Sequence, residues 1–328
     1  MSAVRSIEVA ADEGEVRLDR WFKRHFPGLT HGRLEKLLRT GQIRVDGRRA
    51  KASLRLAAGQ VVRVPPIEAG AETAPARAAA RPIDEHEARD IQARVLYRDK
   101  DVIIIDKPAG LSVQGGPGIQ RHLDGLLDAL RFDGKERPRL VHRLDRDTSG
   151  VLALARDARA AAWLAEQFRL RTARKLYWAV TVGVPNPRAG EIDVPLEKRP
   201  GRHGERMVAE EGGKASLTWY RVLDHAGKRA AWLKLLPHTG RTHQLRVHCA
   251  AIGTPILGDG KYGGAGAHIE VEGIAPQLHL HARAIELPKR SGGYVHAVAP
   301  LPPHMVAAFR FFGFEAGANR ITAGDFEA

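Results

Sequence analysis

The chain has 328 residues, 43% of them hydrophobic, which is enough for a sizeable core and excludes global disorder. Its 52 Lys and Arg against 38 Asp and Glu give a formal charge of +14, the balance of a protein that meets a polyanion, most commonly nucleic acid. The single cysteine, Cys249, excludes an intramolecular disulfide and a cysteine-clustered zinc site, and no apolar run reaches the roughly 18–20 residues of a bilayer span.

In chain order, the N-terminus lacks the apolar stretch of a signal peptide, so a cytoplasmic protein without membrane attachment is expected. Leu18, Trp21, Phe22 and Phe26 fall at helical spacing. Thr30 is placed to cap a second helix carrying Leu34, Leu37 and Leu38, and Gly41 to end it. Ile43 and Val45 then alternate with polar residues up to Asp46-Gly47, a hairpin turn, and Val61, Val62 and Val64 supply a closing strand. The polar positions of this unit are basic: Arg33, Lys36, Arg39, Arg44 and Arg48 gather on the second helix and the hairpin. The segment LLRTGQIRVDGRRAK after two helices resembles the S4 RNA-binding domain. That resemblance implies that these side chains meet phosphates of structured RNA, which gives affinity and orientation but little sequence information.

Residues 67–88, rich in Ala, Pro and charge, read as a linker. Residues 89–314 carry recurrent apolar runs, and residues 315–328 read as a loose tail. Val102 to Ile105 form a continuous apolar run, the pattern of a buried strand, followed by the loop KPAGLSVQGG. Just before a short core strand at Val151 to Leu154 lies a polar knot: His142, Arg143, Asp145, Arg146, Asp147, Thr148, Ser149 and Gly150. A polar cluster abutting a core strand is where a reactive group can be held rigidly. In RKLYWAV, alternation places Leu176, Trp178 and Val180 on one face and Tyr177 on the other. Downstream, LLPHTGRTHQLRVHCAAIGTPILGD contains a helix that carries Arg246, with Arg241 at its start and Gly253 at its end.

HRLDRDTSG, together with GRTHQLR at the right distance downstream, resembles the RluA/RluC/RluD family of pseudouridine synthases. LRTGQIRVDGRRAK and VLYRDKDVIIIDKPAG point to the RluC-like branch, and the resemblance spans nearly the whole chain. It implies an α+β fold: an S4-like module over residues 1–66, then a catalytic domain on a mixed, mainly antiparallel sheet flanked by helices and loops. It also implies the activity, conversion of uridine to pseudouridine in large-subunit (23S) ribosomal RNA. That reaction breaks N1–C1′ and forms C5–C1′ without redox change, so neither a cofactor nor a metal is expected.

Site roles follow from the same resemblance. Asp145 is the carboxylate that acts as nucleophile or base, and Arg246 its cationic partner. Tyr177 stacks on the uracil and takes part in removal of the C5 proton. Arg143 fills the stack vacated by the flipped base, and Arg241 contacts phosphate. Leu278 or Leu280 forms an apolar floor under the base. The expected partner is ribosomal RNA, and the enzyme is expected to act as a monomer. Two other classes compete. A non-catalytic RNA-binding protein would have lost Asp145, Tyr177 or Arg246, and a glycosidase would place two carboxylates about the bond, with Asp147 as the second. A metal site at His238, His243 and His248, or at His279 and His281, is the remaining alternative, disfavoured because these positions fall inside the family motifs.

Overall fold

The computed structural model describes residues 4–10, 13–67, 83–116, 119–201, 204–316 and 321–327. The chain divides into two compact units, Met1–Pro82 and Ile83–Ala328.

The first unit comprises strand β1 (Arg5–Glu8), helices α1 (Leu18–His25) and α2 (His31–Arg39), strands β2 (Arg44–Val45), β3 (Arg48–Arg49) and β4 (Val61–Val64). The expected local signals operate. Thr30 Oγ accepts the Arg33 N–H at 3.3 Å and so caps α2. Gly41 leaves the helix at φ +72°. Asp46 and Gly47 both take positive φ, as a two-residue hairpin turn requires. The antiparallel sheet runs β1-β4-β2-β3. Beneath it, Trp21, Phe22, Leu34, Leu38, Ile43, Val45 and Val62 form a closed core.

The second unit begins inside the segment expected to be linker. Helix α3 (Glu85–Ala93) is capped by Asp84, whose carboxylate accepts the Glu87 N–H at 2.8 Å, and it buries Ile91. The linker expectation for residues 67–88 is therefore corrected at its C-terminal end, while residues 68–82 lie outside the described residues. The composition of the segment hid a helix that the Asp84–Glu87 spacing announces.

The unit continues with β5 (Val95–Arg98), β6 (Val102–Lys107), α4 (Leu123–Leu126), β7 (Arg139–Leu140), β8 (Ser149–Ala155), α5 (Ala158–Leu170) and β9 (Arg174–Val182). Next come β10 (Ala189–Asp193), β11 (Leu196–Gly201), β12 (Gly204–Ala209), β13 (Leu217–Ala226), β14 (Ala230–Pro237) and α6 (Gln244–Ala251). The last elements are β15 (Leu280–Pro288), β16 (Tyr294–Val298) and α7 (Pro303–Phe312). The main sheet runs β10-β13-β14-β9-β15-β8-β6-β5, with β16 added to β15 and β7 to β8; β11 and β12 form a separate ribbon. Its pairs are antiparallel except β15 with β8. The mixed, mainly antiparallel sheet of the expectation is thus present.

Both faces of the sheet are covered. Leu176, Trp178 and Val180 of β9 join Trp232, Met305, Phe309 and Phe314 on one side. Tyr177 and Ala179 join Leu152, Leu164, Leu245 and Cys249 on the other. The C-terminal residues are not a loose tail. Thr322 and Asp325 form a capping box, Phe326 packs into the first of these clusters, and Lys234 Nζ donates to the Glu327 carbonyl at 2.9 Å. A single aromatic anchors a segment whose composition carries no periodic signal.

Candidate active site

Asp145 stands in the turn between β7 and β8, and the turn is held from behind by a buried ammonium. Lys107, the last residue of β6, is fully buried and donates to the carbonyls of Pro108 and Leu111, both at 2.8 Å, and of Arg146 at 3.0 Å. Three N–H donors meet three acceptors, so the charge is solvated by backbone. Burial pulls Lys107 down to about 8, against the pull of Asp147, Asp145 and Asp106. The Gly110 N–H also reaches the Arg146 carbonyl, at 2.9 Å. The KPAG loop and the aspartate turn are thereby one unit. Sequence reasoning passed over Lys107; its signal is a lysine closing an apolar run at an inward position of the strand.

Immediately after the turn, Gly150 has φ +109°, and a Cβ there would lie 2.1 Å from the Ala282 carbonyl oxygen. Ala282 is its register partner in the parallel β15–β8 pairing. Glycine is the residue that allows the Asp145 turn to run this close to β15.

Arg246 lies in α6 and is buried, as expected, but its partner differs from the one expected. Its Nε and Nη2 donate to Asp259 at 2.8 and 2.7 Å, and Asp259 is 1% exposed. Asp145 makes no ion pair with Arg246 among the described residues. Burial works against the charged guanidinium of Arg246, and Asp259 first and then the charge of Asp145 through space outweigh it, so its affinity for its proton is raised. The expected Asp145–Arg246 pair is therefore replaced by a buried Arg246–Asp259 pair beside Asp145. Asp259, the last residue of the segment LLPHTGRTHQLRVHCAAIGTPILGD, comes from the loop after α6, 13 residues on, and its pairing with Arg246 shows only once the chain has folded back.

Among the described residues the basic side chain nearest Asp145 is an imidazole: His243 Nε2 lies 3.8 Å from Asp145 Oδ1. The Tyr262 hydroxyl accepts the Met207 N–H at 3.3 Å and stands 2.6 Å from His243 Nδ1. A neutral His243 whose Nδ1 accepts from the Tyr262 hydroxyl carries its proton on Nε2, the nitrogen that faces Asp145. Burial lowers the His243 pKa and favours that neutral form.

Tyr177 is 9% exposed and faces the same cleft. Burial and the Asp145 charge push its phenol well above the usual tyrosine range, so it stays protonated at neutral pH. Asp145, Tyr177, Arg246, Arg143, Arg241 and Leu280 all line one cleft of about 500 Å³. Arg143 is exposed and makes no ion pair among the described residues, while Asp147 pairs with Arg146 at 2.9 Å, not with Arg143. Arg241 stands three residues before α6 and donates from Nε to the Ala215 carbonyl at 3.2 Å. Leu278 lies outside this cleft. It lines an adjoining recess with Asp145, His243 and Arg246.

The histidines weighed as metal ligands have other occupations. His248 Nε2 approaches Ser216 Oγ at 3.0 Å, His281 Nδ1 Ser149 Oγ at 2.8 Å, and His279 Nδ1 the Gln277 carbonyl at 2.8 Å. Arg33, Lys36, Arg39 and Arg48 of the first unit are exposed. Arg44 is exposed too, but its guanidinium is tied back to the Gly41 and Gly47 carbonyls at 3.2 and 3.1 Å.

Comparison with known proteins shows the family. The pattern that defines the RNA pseudouridylate synthases matches residues 101–251, which include Asp145, Tyr177 and Arg246. An uncharacterized RNA pseudouridine synthase of Synechocystis is 35% identical over 304 residues, covering 88% of this chain and 86% of that protein. The chain belongs to the RNA pseudouridylate synthase family. This pseudouridine synthase is also similar to the ribosomal large subunit pseudouridine synthase C of Rickettsia conorii, at 36% identity over 84% of this chain and 90% of that one. The solved structure of human RNA pseudouridylate synthase domain containing 4 superposes with a TM-score of 0.59 at 32% identity, over 69% of this chain and 95% of that one.

Proposed function

We propose that this pseudouridine synthase isomerises specific uridines of large-subunit (23S) ribosomal RNA, with Asp145 as the nucleophile or base. The observation that carries the reading is the convergence of Asp145, Tyr177 and Arg246 on one cleft. The ribosomal substrate is supported by the similarity to large subunit pseudouridine synthase C over most of both chains.

The chemistry needs an ionised carboxylate beside C1′ and C6 of a uridine drawn out of its stack. Asp145 has no tight internal partner to displace among the described residues, because its neighbouring guanidinium is already held by Asp259. Arg246 supplies a fixed positive field, and the His243 imidazole stands with Nε2 3.8 Å from the carboxylate. The Tyr177 ring covers the base, and its protonated hydroxyl lies where the C5 proton must eventually leave. Arg143, exposed on the cleft rim, takes the place of the flipped base. The first unit acts as an S4-like module, in which Arg33, Lys36, Arg39 and Arg48 bind phosphates.

The test is pseudouridine mapping on 23S ribosomal RNA from a strain lacking the protein, complemented with wild type or with Asp145→Asn. Wild type should restore a defined set of pseudouridines and Asp145→Asn none, with RNA binding largely kept. Restoration by Asp145→Asn would overturn the assignment.

A further inference from the structure

The buried lysines and arginines of the catalytic unit have protein partners, whereas the half-buried Lys175 of the cleft wall does not. Lys107 donates to three carbonyls, Lys234 to the Glu327 carbonyl, Arg246 to Asp259, and Arg283 to the Ala299 carbonyl while lying over the Trp178 ring. Lys175 has neither an ion pair nor a hydrogen bond among the described residues. It precedes Tyr177 by two positions on β9, so both side chains project from the same face. Lys175 lines the cleft with Arg143, His238 and Arg241. Its Nζ lies against Gly240 of the loop before α6, 3.8 Å from where a Cβ would stand. The adjacent Arg174 is committed to Glu286 at 3.3 Å.

A half-buried ammonium that lines a cleft and has no protein partner is a group that an anionic ligand can complete. Burial alone draws Lys175 down to about 8, and no carboxylate offsets it. The nearby His142 is half-buried and its Nε2 accepts the Ala153 N–H at 2.8 Å, so it offers the ammonium no acceptor there. The missing partner is therefore negative and enters with the substrate. RNA carries one such group per nucleotide.

We propose that Lys175 seats a backbone phosphate of the RNA next to the extruded uridine. This rests on the reading of the cleft as the uridine site. A phosphate locked at Lys175 while Tyr177, on the same strand face, covers the base fixes the nucleotide at two points. That is how a positioning contact raises the fraction of bound RNA in reacting geometry.

The test uses the full chain and a transcribed fragment of 23S ribosomal RNA, with binding measured across a series of KCl concentrations. Lys175→Met should weaken binding about tenfold near 0.1 M salt and flatten the slope of log Kd against log salt by about 0.7 to 0.9, the release of one phosphate's counterion. Lys175→Arg should restore most of both. Thermal unfolding separates a structural role: removing a half-buried charge that has no protein partner should leave Lys175→Met as stable as wild type or more so. An unchanged Kd and slope, or a clear loss of stability in Lys175→Met, would overturn the proposal. The readout is binding, so it decides this point independently of turnover. If wild type converts uridines while Lys175→Met binds normally, the phosphate seat alone fails. If wild type converts none, the reading of the cleft fails.

Discussion

Replacing Asp259 by Asn should unfold the catalytic unit at a markedly lower temperature. Asp259 is 1% exposed and accepts both Arg246 Nε and Nη2, and its Oδ1 also takes the Tyr262 N–H at 3.2 Å. The isosteric amide keeps one oxygen but turns an NH₂ toward donors that need an acceptor. Removing one partner of a buried pair costs about 3–5 kcal/mol. The retained oxygen places this variant near the lower figure, about 3 kcal/mol. For a domain of this size each kcal/mol shifts Tm by about 2–4 °C, so a fall of roughly 6–12 °C is expected. Trp163, Trp178, Trp219 and Trp232 all lie in this unit, so fluorescence-detected melting reports on it. Asp128→Asn is the control, because Asp128 is half exposed and its pairs with Arg131 and Arg137 lie at the surface; about 0–1 kcal/mol per pair is expected there. A Tm for Asp259→Asn within about 2 °C of wild type would refute the claim that Asp259 holds the Arg246 charge.

Two further predictions concern the frame around the site. Gly150→Ala should cost more than about 4 kcal/mol, since its Cβ would meet the Ala282 carbonyl oxygen at 2.1 Å. At Gly110, where φ is +85° and nothing lies within 4 Å of a Cβ, the same change should cost only about 1–2 kcal/mol; equal melting temperatures for the two variants would contradict the close-approach account. Stability should also fall on mild acidification. Burial lowers His142 and His281 to about 3 and His279 to about 4, so below about pH 6.5 the unfolded chain binds protons that the folded chain refuses. The stabilisation is complete above that pH and is lost as pH falls toward those values. A denaturant midpoint at about pH 5 equal to that at about pH 7.5 would show that these imidazoles are not buried neutral.

What could be read from the sequence was local. Thr30 as a cap, Asp46-Gly47 as a turn and the alternation about Tyr177 each rest on residues a few positions apart, and the structure reproduces them. The polar knot before β8 was legible because its residues are crowded into one short segment. What escaped was assembled over distance. Lys107 becomes a clamp only because β6 and β8 are neighbours, bringing the Arg146 carbonyl within 3.0 Å. Phe326 docks only because β14 and α7 leave it an apolar face. Lys175 looks like an ordinary strand lysine until the surrounding elements withhold every partner from it.

The Arg246 error shows the same limit and carries a chemical lesson. Charge logic rightly demanded a cation near Asp145 and a buried setting for it, then joined the two directly. A direct bidentate pair would hold Asp145 in place, and the proposed reaction would first have to break it. With Asp259 holding Nε and Nη2, the guanidinium is oriented before substrate arrives, and the charge of Asp145 acts on it without consuming its hydrogen bonds. Preorganised charge of this kind stabilises a reacting group without reorganising during the reaction. The cost of burying Arg246 is met by a residue that takes no part in bond making. Asp145 is thereby left, at 17% side-chain exposure and with His243 at 3.8 Å, free to move onto a nucleotide.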